Sequence, residues 1–490
     1  NRLTTIEGLL SDPPVETARL RFLRSRQGRK GGDLVLFWMQ KSQRSLDNPA
    51  LDLAVYLANA LDLPLLCVFV LCEYPRARDP HYRFMLEGLK TCAQDLRSRG
   101  VGFTLLKGEP VEQILAAAAQ AAVLVADEGK LLFERQWRDS IAAEPDRPDM
   151  IVVETESAVP PSAVSDHLEW SAATIRKKIS ARLPFSLSRG KSNQECCLKA
   201  PPGQQGGDFL FGEGPLEAPW ASWALPAAER ESAKPGQRFG ALLRLQRLSL
   251  DSGQDAALRR FDAFLHSDGL ERYAQGRNDP NAKAASGMSA YLHFGQVSPL
   301  RLAEKALEHS PSAAQAYVEQ LVVRRELALN YVLHNPGYLE YESAAPDWAR
   351  RSLASRDPPP RVYSDGELEA ARTEDPYWNA AQKELVLNGT IHNYMRMYWG
   401  KQLLRWFSDP AEAFSVALQL NDTYSLDGRD PNGYAGVAWC FGRHDRPWPE
   451  RRGFGTLRAM TPSGLGKKFD ADRYADEMHS IYTLRMKETL

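Results

Sequence analysis

The sequence predicts an α/β N-terminal domain with a parallel doubly wound sheet, followed by an all-helical C-terminal domain. Apolar runs alternate with amphipathic stretches in the first third of the chain, whereas a helical period dominates the second half. A stretch rich in glycine and proline separates the two parts. We therefore place the domains at residues 1–190 and 239–490, with a linker at 191–238.

The N-terminal prediction depends on five buried-strand patterns and the helical patterns between them. The strands are predicted at Leu34–Trp38, Leu65–Leu71, Val101–Leu106, Ala122–Ala126 and Met150–Val153. The helices are predicted at Pro49–Leu61, Tyr82–Arg99, Val111–Ala119 and Leu131–Ala143. Strands that alternate with helices favour a parallel sheet, which holds ligands at the carboxyl ends of its strands. Neither a GxGxxG nor a GxxxxGK[ST] motif occurs, so a standard dinucleotide or P-loop site is not indicated.

The linker and the second half follow from composition and period. Pro201–Gly236 holds six glycines and six prolines in 36 residues, which is typical of a linker or a long surface excursion. Helices are predicted beyond it at Leu300–Glu308, Gln315–Leu333, Trp378–Leu387, His392–Trp406 and Ala411–Leu420.

Composition excludes several broad classes. With 43% hydrophobic and 25% charged residues, the 490-residue chain has the make-up of a soluble globular protein, and no apolar run is long enough to cross a membrane. The six cysteines form no CxxC pair, so we expect no metal site and no disulfide framework. The cysteine usage and the absence of a secretion pattern at the N-terminus favour an intracellular protein.

Some side chains suggest chemistry, each with a structural alternative. Ser286, Gly287, Met288 and Ser289 precede a predicted helix and could bind phosphate, although a serine there is commonly only a helix cap. Trp399 and Trp406 are two turns apart on one helix, a spacing that suits electron hopping but is more often core packing.

A polar, turn-rich stretch runs from Asn421 to Trp439 between apolar segments, so its polar groups need partners, which a flavin or pterin ring edge could supply. A well-bonded buried loop is the alternative. Arg396 lies among apolar residues and should pair with a carboxylate, for which Asp427 is the candidate.

Local charge matters more than the net charge of −1. Between Arg443 and Lys468, seven basic residues face two acidic ones, and Trp448 lies among them. Such a stretch could bind DNA phosphates through counterion release. A solvated basic loop is the alternative.

Taken together, the motifs resemble the class II cyclobutane pyrimidine dimer photolyases of the photolyase and cryptochrome family, over nearly the whole chain. The resemblance is carried in order by WMQKSQRSLDNPAL, YLHFGQVSP, YVEQLVVRREL, DPYWNAAQ, HNYMRMYWGKQLLRW and LNDTYSLDGRDPNGYAGVAW. It implies light-driven DNA repair by reduced, anionic FAD, which passes an electron to a flipped-out dimer and then recovers it. It also implies an antenna-binding α/β domain and an FAD-binding helical domain.

The resemblance implies a role for each matching residue. The residues expected around FAD are Tyr273, Ser286 to Ser289, Arg324, Asn393, Arg396 and Asp427, with Asn421 facing the flavin N5. The photoreduction chain would run outward from the flavin through Trp399, Trp378 and Trp406. The residues expected on the DNA side are Met397, Trp439, Arg446, Trp448, Arg451 and Arg458.

One departure from the family concerns the contact with the dimer. The family usually has two adjacent acidic residues where this chain has Glu319 and Gln320. We assign the contact to Glu319, and a different register would give it to Gln320. A Glu319 kept neutral by burial could donate a hydrogen bond to a dimer carbonyl.

Three other interpretations remain open. A cryptochrome-like photoreceptor would share the fold, FAD and tryptophans, but usually adds a tail beyond the basic stretch, whereas this chain ends at Leu490. A (6-4) photolyase would need histidines where this chain offers Met397 and Trp439. The third is a non-catalytic α/β module with a helical partner domain. We further expect a monomer that binds UV-damaged DNA in the cytoplasm or nucleus, with a deazaflavin, a folate or no antenna chromophore.

Overall fold

A computed structural model describes residues 6–24, 31–188, 196, 239–357 and 362–489 of the chain. The predicted linker stretch Pro201–Gly236 lies outside the described residues, so that prediction and the domain limits around it remain predictions.

A six-stranded sheet organises the first part. Its strands are β1 (Leu20–Leu23), β2 (Leu34–Met39), β3 (Leu65–Leu71), β4 (Gly102–Lys107), β5 (Ala121–Asp127) and β6 (Asp149–Val153). They lie in the order β1-β6-β5-β2-β3-β4, and β2 to β6 are parallel to one another. Every residue of β2 is buried, as expected of a central strand that is covered on both faces.

The sheet departs from the prediction at one edge. The first strand pairs antiparallel with β6, with Leu20 opposite Val153, so the sheet is not wholly parallel. This strand was missed because its four residues, Leu20–Leu23, are short, include an arginine and are not fully buried. Antiparallel edge strands on otherwise parallel sheets are common.

Helices cover the sheet and lead out of it. They are α1 (Ile6–Leu9), α2 (Pro49–Leu61), α3 (Asp79–Ser98), α4 (Pro110–Ala118), α5 (Leu132–Ala143) and α6 (Ala172–Ser188). The start of α2 is fixed locally, because the Asn48 side chain accepts hydrogen bonds from the backbone N–H groups of Ala50 and Leu51. The sequence did not predict α1 or α6.

The second part is helical, as predicted. The bounds of its first eight helices are α7 (Gln254–His266), α8 (Gly269–Gly276), α9 (Ser289–His293), α10 (Pro299–His309), α11 (Gln315–Val318), α12 (Arg325–His334), α13 (Tyr341–Ala344) and α14 (Asp347–Ser355). Those of the remaining helices are α15 (Asp365–Glu369), α16 (Pro376–Asn388), α17 (Asn393–Trp406), α18 (Pro410–Tyr424), α19 (Pro431–Cys440), α20 (Pro462–Gly466) and α21 (Ala471–Thr489).

Two predicted elements differ in detail. A π-helix at Glu319–Arg324 interrupts the helix expected at Gln315–Leu333, and π-turns within helices frequently occur at functional sites. The stretch from Asn421 to Trp439, expected as a polar loop, is mostly helical. Asn421 lies on α18, Trp439 lies on α19, and a short connection, residues 425–430, joins the two helices.

The two parts pack through buried polar contacts. Glu326 of α12 accepts hydrogen bonds from the backbone N–H groups of Ala158 (2.8 Å) and Val159 (3.2 Å), which follow the last strand. The Arg76 guanidinium, in the loop after β3, donates to the buried carboxylate of Asp422 on α18 (2.8 Å). These contacts hold the helical part against the carboxyl ends of the strands.

Candidate flavin and DNA sites

Arg396 of α17 is the charged centre of a polar group in the helical part. Its guanidinium donates to Asp427, with Nη2 2.9 Å from Oδ1, which confirms the predicted pair. Burial would raise the pKa of the Asp427 carboxyl, but Arg396 and the hydroxyls of Ser425 and Ser289 outweigh it and hold the pKa below its ordinary value. Asp427 therefore ties α17 to the segment 286–289.

Unsatisfied donors lie beside this pair. Asn421 is 1% exposed, and its amide nitrogen has no hydrogen-bond partner among the described residues. A Cβ added to Gly433 would come 3.2 Å from that nitrogen and 3.6 Å from the Asp427 carbonyl oxygen, so the amide and the ion pair are neighbours. The buried Nε of Arg396 also lacks a partner in the described chain. Orphaned buried donors are costly, and a ring with acceptor atoms would satisfy them.

The backbone of the segment 286–289 lets neighbouring groups come close to it. Tyr317 donates to the Ser286 hydroxyl (3.3 Å) and packs edge-on against Tyr273, with ring centroids 5.3 Å apart. Gly287 has a φ of +71°, and a Cβ there would lie 2.6 Å from the guanidinium of Arg260. Tyr273 and Ser286 thus share the neighbour Tyr317, and Ser289 of the same segment contacts Asp427; that they bind one ligand stays a prediction.

Two residues predicted around the flavin, Asn393 and Arg324, are more exposed than the Arg396–Asp427 pair. Asn393 is exposed at the first turn of α17, one turn before Arg396. The side chain of Arg324 is 48% exposed and lies 3.5 Å from Glu319, and the described residues show no contact between it and the Arg396 group. The buried arginine is instead its neighbour Arg325, at 4.0 Å from Asp430.

Three indoles form a continuous contact path. Trp399 and Trp378 are stacked with centroids 6.2 Å apart, and Trp406 packs edge-on against Trp378 at 5.3 Å. The Trp399 indole donates to Gln382 Oε1, and the Trp378 indole donates to the Trp399 carbonyl, each at 2.9 Å. Trp378 from α16 therefore bridges the two indoles of α17, in the predicted order.

Tight packing of α17 against α19 places the predicted lesion-side residues. A Cβ on Gly400 would come 2.8 Å from the Cys440 sulfur, so glycine is needed for this approach. Met397 reaches Gly436, and the half-buried Trp439 has the Lys401 ammonium 4.8 Å from its ring centroid. Lys401 is fully buried and donates to the Cys440 carbonyl (3.2 Å), a contact that the sequence analysis did not predict.

The basic stretch is a folded turn with exposed cations. The Trp448 backbone N–H donates to Thr456 (2.7 Å), and that of Arg451 donates to Gly455 (2.8 Å). The guanidinium groups of Arg446 and Arg458 lie 5.3 and 5.1 Å from the Trp448 ring. Arg443 differs from the rest, because it donates to the carbonyls of Ser343 and Ala344 and is structural.

Glu319 does not match the expectation of a buried, neutral acid. Its carboxylate receives two hydrogen bonds from Arg176 of α6, at 2.8 and 3.0 Å. Partial burial would raise its pKa, but Arg176 and Arg324 outweigh it and hold the pKa below the ordinary value. These contacts favour the ionised form of Glu319, whereas a hydrogen bond donated by Glu319 to the dimer requires the neutral form. The sequence could not show this because the partner lies 143 residues away.

A large cleft lies between the sheet and the helical part, away from the Arg396 group. Its empty space, including open solvent at the mouth, is about 750 Å³, and it opens where β2 and β3 end. Trp38, Tyr74, Met85, Trp137 and Phe294 contribute apolar walls, and Lys41, Glu134 and His293 contribute polar groups. This position agrees with the expectation that a parallel sheet binds ligands at its carboxyl edge.

Comparisons with known proteins give the family. The sequence profile of the DNA photolyase family matches residues 35–191. A deoxyribodipyrimidine photo-lyase of Methanothermobacter thermautotrophicus is 40% identical over 472 residues, which cover 95% of this chain and 99% of that protein.

Two solved structures share the fold at low identity. A class III photolyase from Agrobacterium tumefaciens superposes with a TM-score of 0.67 at 18% identity, covering 92% of this chain and 86% of that one. An archaeal photolyase from Sulfolobus tokodaii with two FAD molecules gives 0.64 at 15% identity, covering 92% and 93%. Because the Methanothermobacter thermautotrophicus enzyme is 40% identical to this chain over almost the full length of both proteins, the chain belongs to the DNA photolyase family.

Proposed function

We propose that this chain repairs cyclobutane pyrimidine dimers in DNA with light, using FAD bound beside Arg396 and a dimer that has left the duplex. The arrangement of α17 carries the proposal. A single turn of this one helix holds Arg396 of the polar group, Met397 of the lesion side and Trp399 of the indole path. A reaction that joins a flavin, a pyrimidine dimer and an electron source needs these three sites to be adjacent.

The residues present fit a flavin. The unpaired Asn421 amide nitrogen can donate to a ring acceptor, and Arg396 supplies a positive charge that would favour an anionic ring. Tyr273, Ser286, Gly287, Met288 and Ser289 would hold the phosphates. Asn393 would lie at the rim of the site. When bound in its reduced form, FAD supplies the photoexcited electron that splits the cyclobutane ring and is afterwards recovered, so no net redox change results.

The chain's own residues orient the DNA. Trp439 offers an aromatic face for the flipped dimer, and Met397 lines the same pocket. Arg446 and Trp448 would fill the vacancy in the duplex, which offsets part of the cost of unstacking. Arg451 and Arg458 are exposed and would bind phosphates, which fixes the position of the duplex without reading its sequence.

The contact with the dimer carbonyl falls to Gln320 in this proposal. Glu319 is held ionised by Arg176, whereas the half-buried Gln320 amide carries a neutral N–H donor. Glu319→Ala should then leave the repair yield per photon close to that of the wild type. Gln320→Ala should lower it, and the opposite ranking would return the contact to Glu319.

The large cleft would hold the antenna chromophore, a deazaflavin or a folate. Its aromatic walls suit a flat ring system, and its lining includes neither Arg396 nor Asp427, as expected of a site for a second pigment rather than for the catalytic flavin. The absorption spectrum of the purified protein tests both sites at once. Flavin bands support the catalytic site, and an additional near-ultraviolet or violet band supports the antenna.

A repair assay separates the proposed reaction from its alternatives. Chemically reduced protein is mixed with DNA that carries either a cyclobutane dimer or a (6-4) photoproduct, and products are measured after blue light and after darkness. We expect dimer reversal only in the light and no reversal of the (6-4) lesion. Intact dimers would contradict the proposal and favour a photoreceptor.

Three further expectations stay proposals. The chain would act as a monomer on UV-damaged DNA, in the cytoplasm or the nucleus. Within the described ranges, no helix combines the length and apolar character needed to cross a membrane.

A further inference from the structure

An exposed tryptophan lies on the N-terminal side of the DNA-facing surface. Trp170 is 55% exposed, which is unusual for so large an apolar side chain. Its loop is nonetheless held in place: the Glu169 backbone N–H donates to Asn330 Oδ1 (2.8 Å), and Asn330 Nδ2 donates to the His167 carbonyl (2.9 Å). The ring is therefore presented on a fixed loop that is anchored to α12.

His444 connects this loop to the basic turn. Its Nδ1 lies 2.9 Å from the Trp170 carbonyl oxygen, and His444 precedes Arg446 by two residues. Burial and the charges of Arg443 and Arg324 lower the pKa of His444 to about 4, so Nδ1 carries the proton and donates to that carbonyl. The buried Nε2 is then an acceptor without a partner among the described residues. The ring of His444 therefore fixes the Trp170 loop against the basic turn.

Two exposed arginines lie close to the Trp170 loop, around Glu319. Arg176 and Arg324 share the single carboxylate of Glu319, at 2.8 and 3.5 Å, so the cluster keeps one net positive charge. Their side chains are 43% and 48% exposed, which leaves guanidinium N–H groups free to reach a phosphate. Arg176 lies on α6, which begins two residues after Trp170, and Arg324 contacts the same carboxylate, so this cluster adjoins the Trp170 loop.

We propose that Trp170, His444, Arg176 and Arg324 form a second DNA-binding surface, which holds the single strand that flanks the flipped dimer. An aromatic face beside arginine side chains is the combination that binds unpaired nucleotides, with stacking on the ring and ion pairs to the backbone. Flipping a dimer leaves neighbouring bases unstacked, so such a strand is present next to the lesion. This surface continues the basic turn through His444, and the inference rests on the proposed repair of DNA.

Binding of a fluorescently labelled duplex with one central dimer tests the surface, with FAD-loaded full chain throughout. Trp170→Ala should weaken binding of this duplex about tenfold, because stacking on an aromatic side chain is lost. The ratio of affinity for the duplex to affinity for a free dinucleotide dimer should fall by the same factor. Phe185→Ala is the matched control, since it removes another exposed ring from the same region, on α6.

The role of Arg176 and Arg324 is tested through the salt dependence of DNA binding. Arg176→Gln combined with Arg324→Gln should lower the slope of log affinity against log salt by about one to two. Arg83→Gln, which breaks an exposed ion pair with Asp79 on α3, should leave that slope unchanged. Equal affinities for the wild type and Trp170→Ala, or an unchanged slope in the double variant, would overturn this inference. Failure of the wild type to repair dimers would instead overturn the proposed function.

Discussion

Glu326 offers a sharp test of how the two parts of the chain are joined. Its buried carboxyl accepts from the N–H groups of Ala158 and Val159, and its second oxygen has no partner among the described residues. Burial, reinforced by the negative charge of Glu154, raises the pKa of Glu326 from 4.5 to about 8. Glu326 is therefore protonated in the folded protein at neutral pH and ionised in the unfolded chain.

The size of the effect follows from this difference. Because one pKa unit is worth about 1.4 kcal/mol, the shift corresponds to a penalty on the order of 5 kcal/mol for the ionised form. The sign is fixed by proton uptake on folding. The penalty is absent below pH 4.5, grows as the pH rises, and is complete above pH 8. Stability is thus lost as the pH rises through this window.

Glu326→Gln removes the ionisation but keeps an oxygen that can accept from Ala158 and Val159. We expect nearly equal urea midpoints for the wild type and this variant at pH 5, and a clearly higher midpoint for the variant at pH 9. Glu271→Gln, an exposed change on α8, is the matched control. A difference between Glu326→Gln and the wild type that does not change between pH 5 and pH 9 would refute the reasoning.

The remaining predictions concern the candidate sites. Trp378→Phe should stop photoreduction of the oxidised flavin and spare repair by chemically reduced protein, because the indole that links Trp399 to Trp406 is removed. Trp348→Phe is the control. Normal photoreduction in Trp378→Phe would refute the proposed electron path. Asp427→Asn should reduce the amount of FAD that the protein retains on gel filtration. It should also lower the free energy of unfolding by about 3 kcal/mol, since it leaves Arg396 as a mostly buried, unpaired charge. Full retention of FAD would mean that the cofactor binds elsewhere. Lys401→Met should weaken binding of dimer-containing DNA more than that of intact DNA, because the cation next to the Trp439 ring is lost. Lys401→Arg should retain part of the affinity for dimer-containing DNA. Equal losses of affinity for both DNAs would contradict this role of Lys401.

The sequence predicts the frame of the molecule well, because its signals are local. The five parallel strands are runs of buried apolar residues, and the start of α2 is written in Asn48 and Pro49. The short strand Leu20–Leu23 was missed because pairing with a distant strand, and not its own pattern, makes it a strand. The extension of α18 to Tyr424 was missed because its polar residues suggest a turn until their burial is known.

The candidate site divides in the same way. The Arg396–Asp427 pair was predictable because a lone cation among apolar residues needs a nearby carboxylate. The state of Glu319 was not, since it is decided by Arg176 on a helix that the sequence did not reveal. Lys401 beneath Trp439 was also hidden, because a lysine on a helix is usually exposed.

Flavin fluorescence of the reduced holoprotein under pulsed blue light tests the central claim most directly. The account requires an electron to pass from the cofactor beside Arg396 to a dimer on Trp439. A saturating concentration of DNA that contains a cyclobutane dimer should shorten the fluorescence lifetime. The ultraviolet absorbance of the pyrimidine bases should recover in proportion to the number of photons delivered. A lifetime that is the same with damaged and intact DNA, with no recovery of absorbance, would contradict the account.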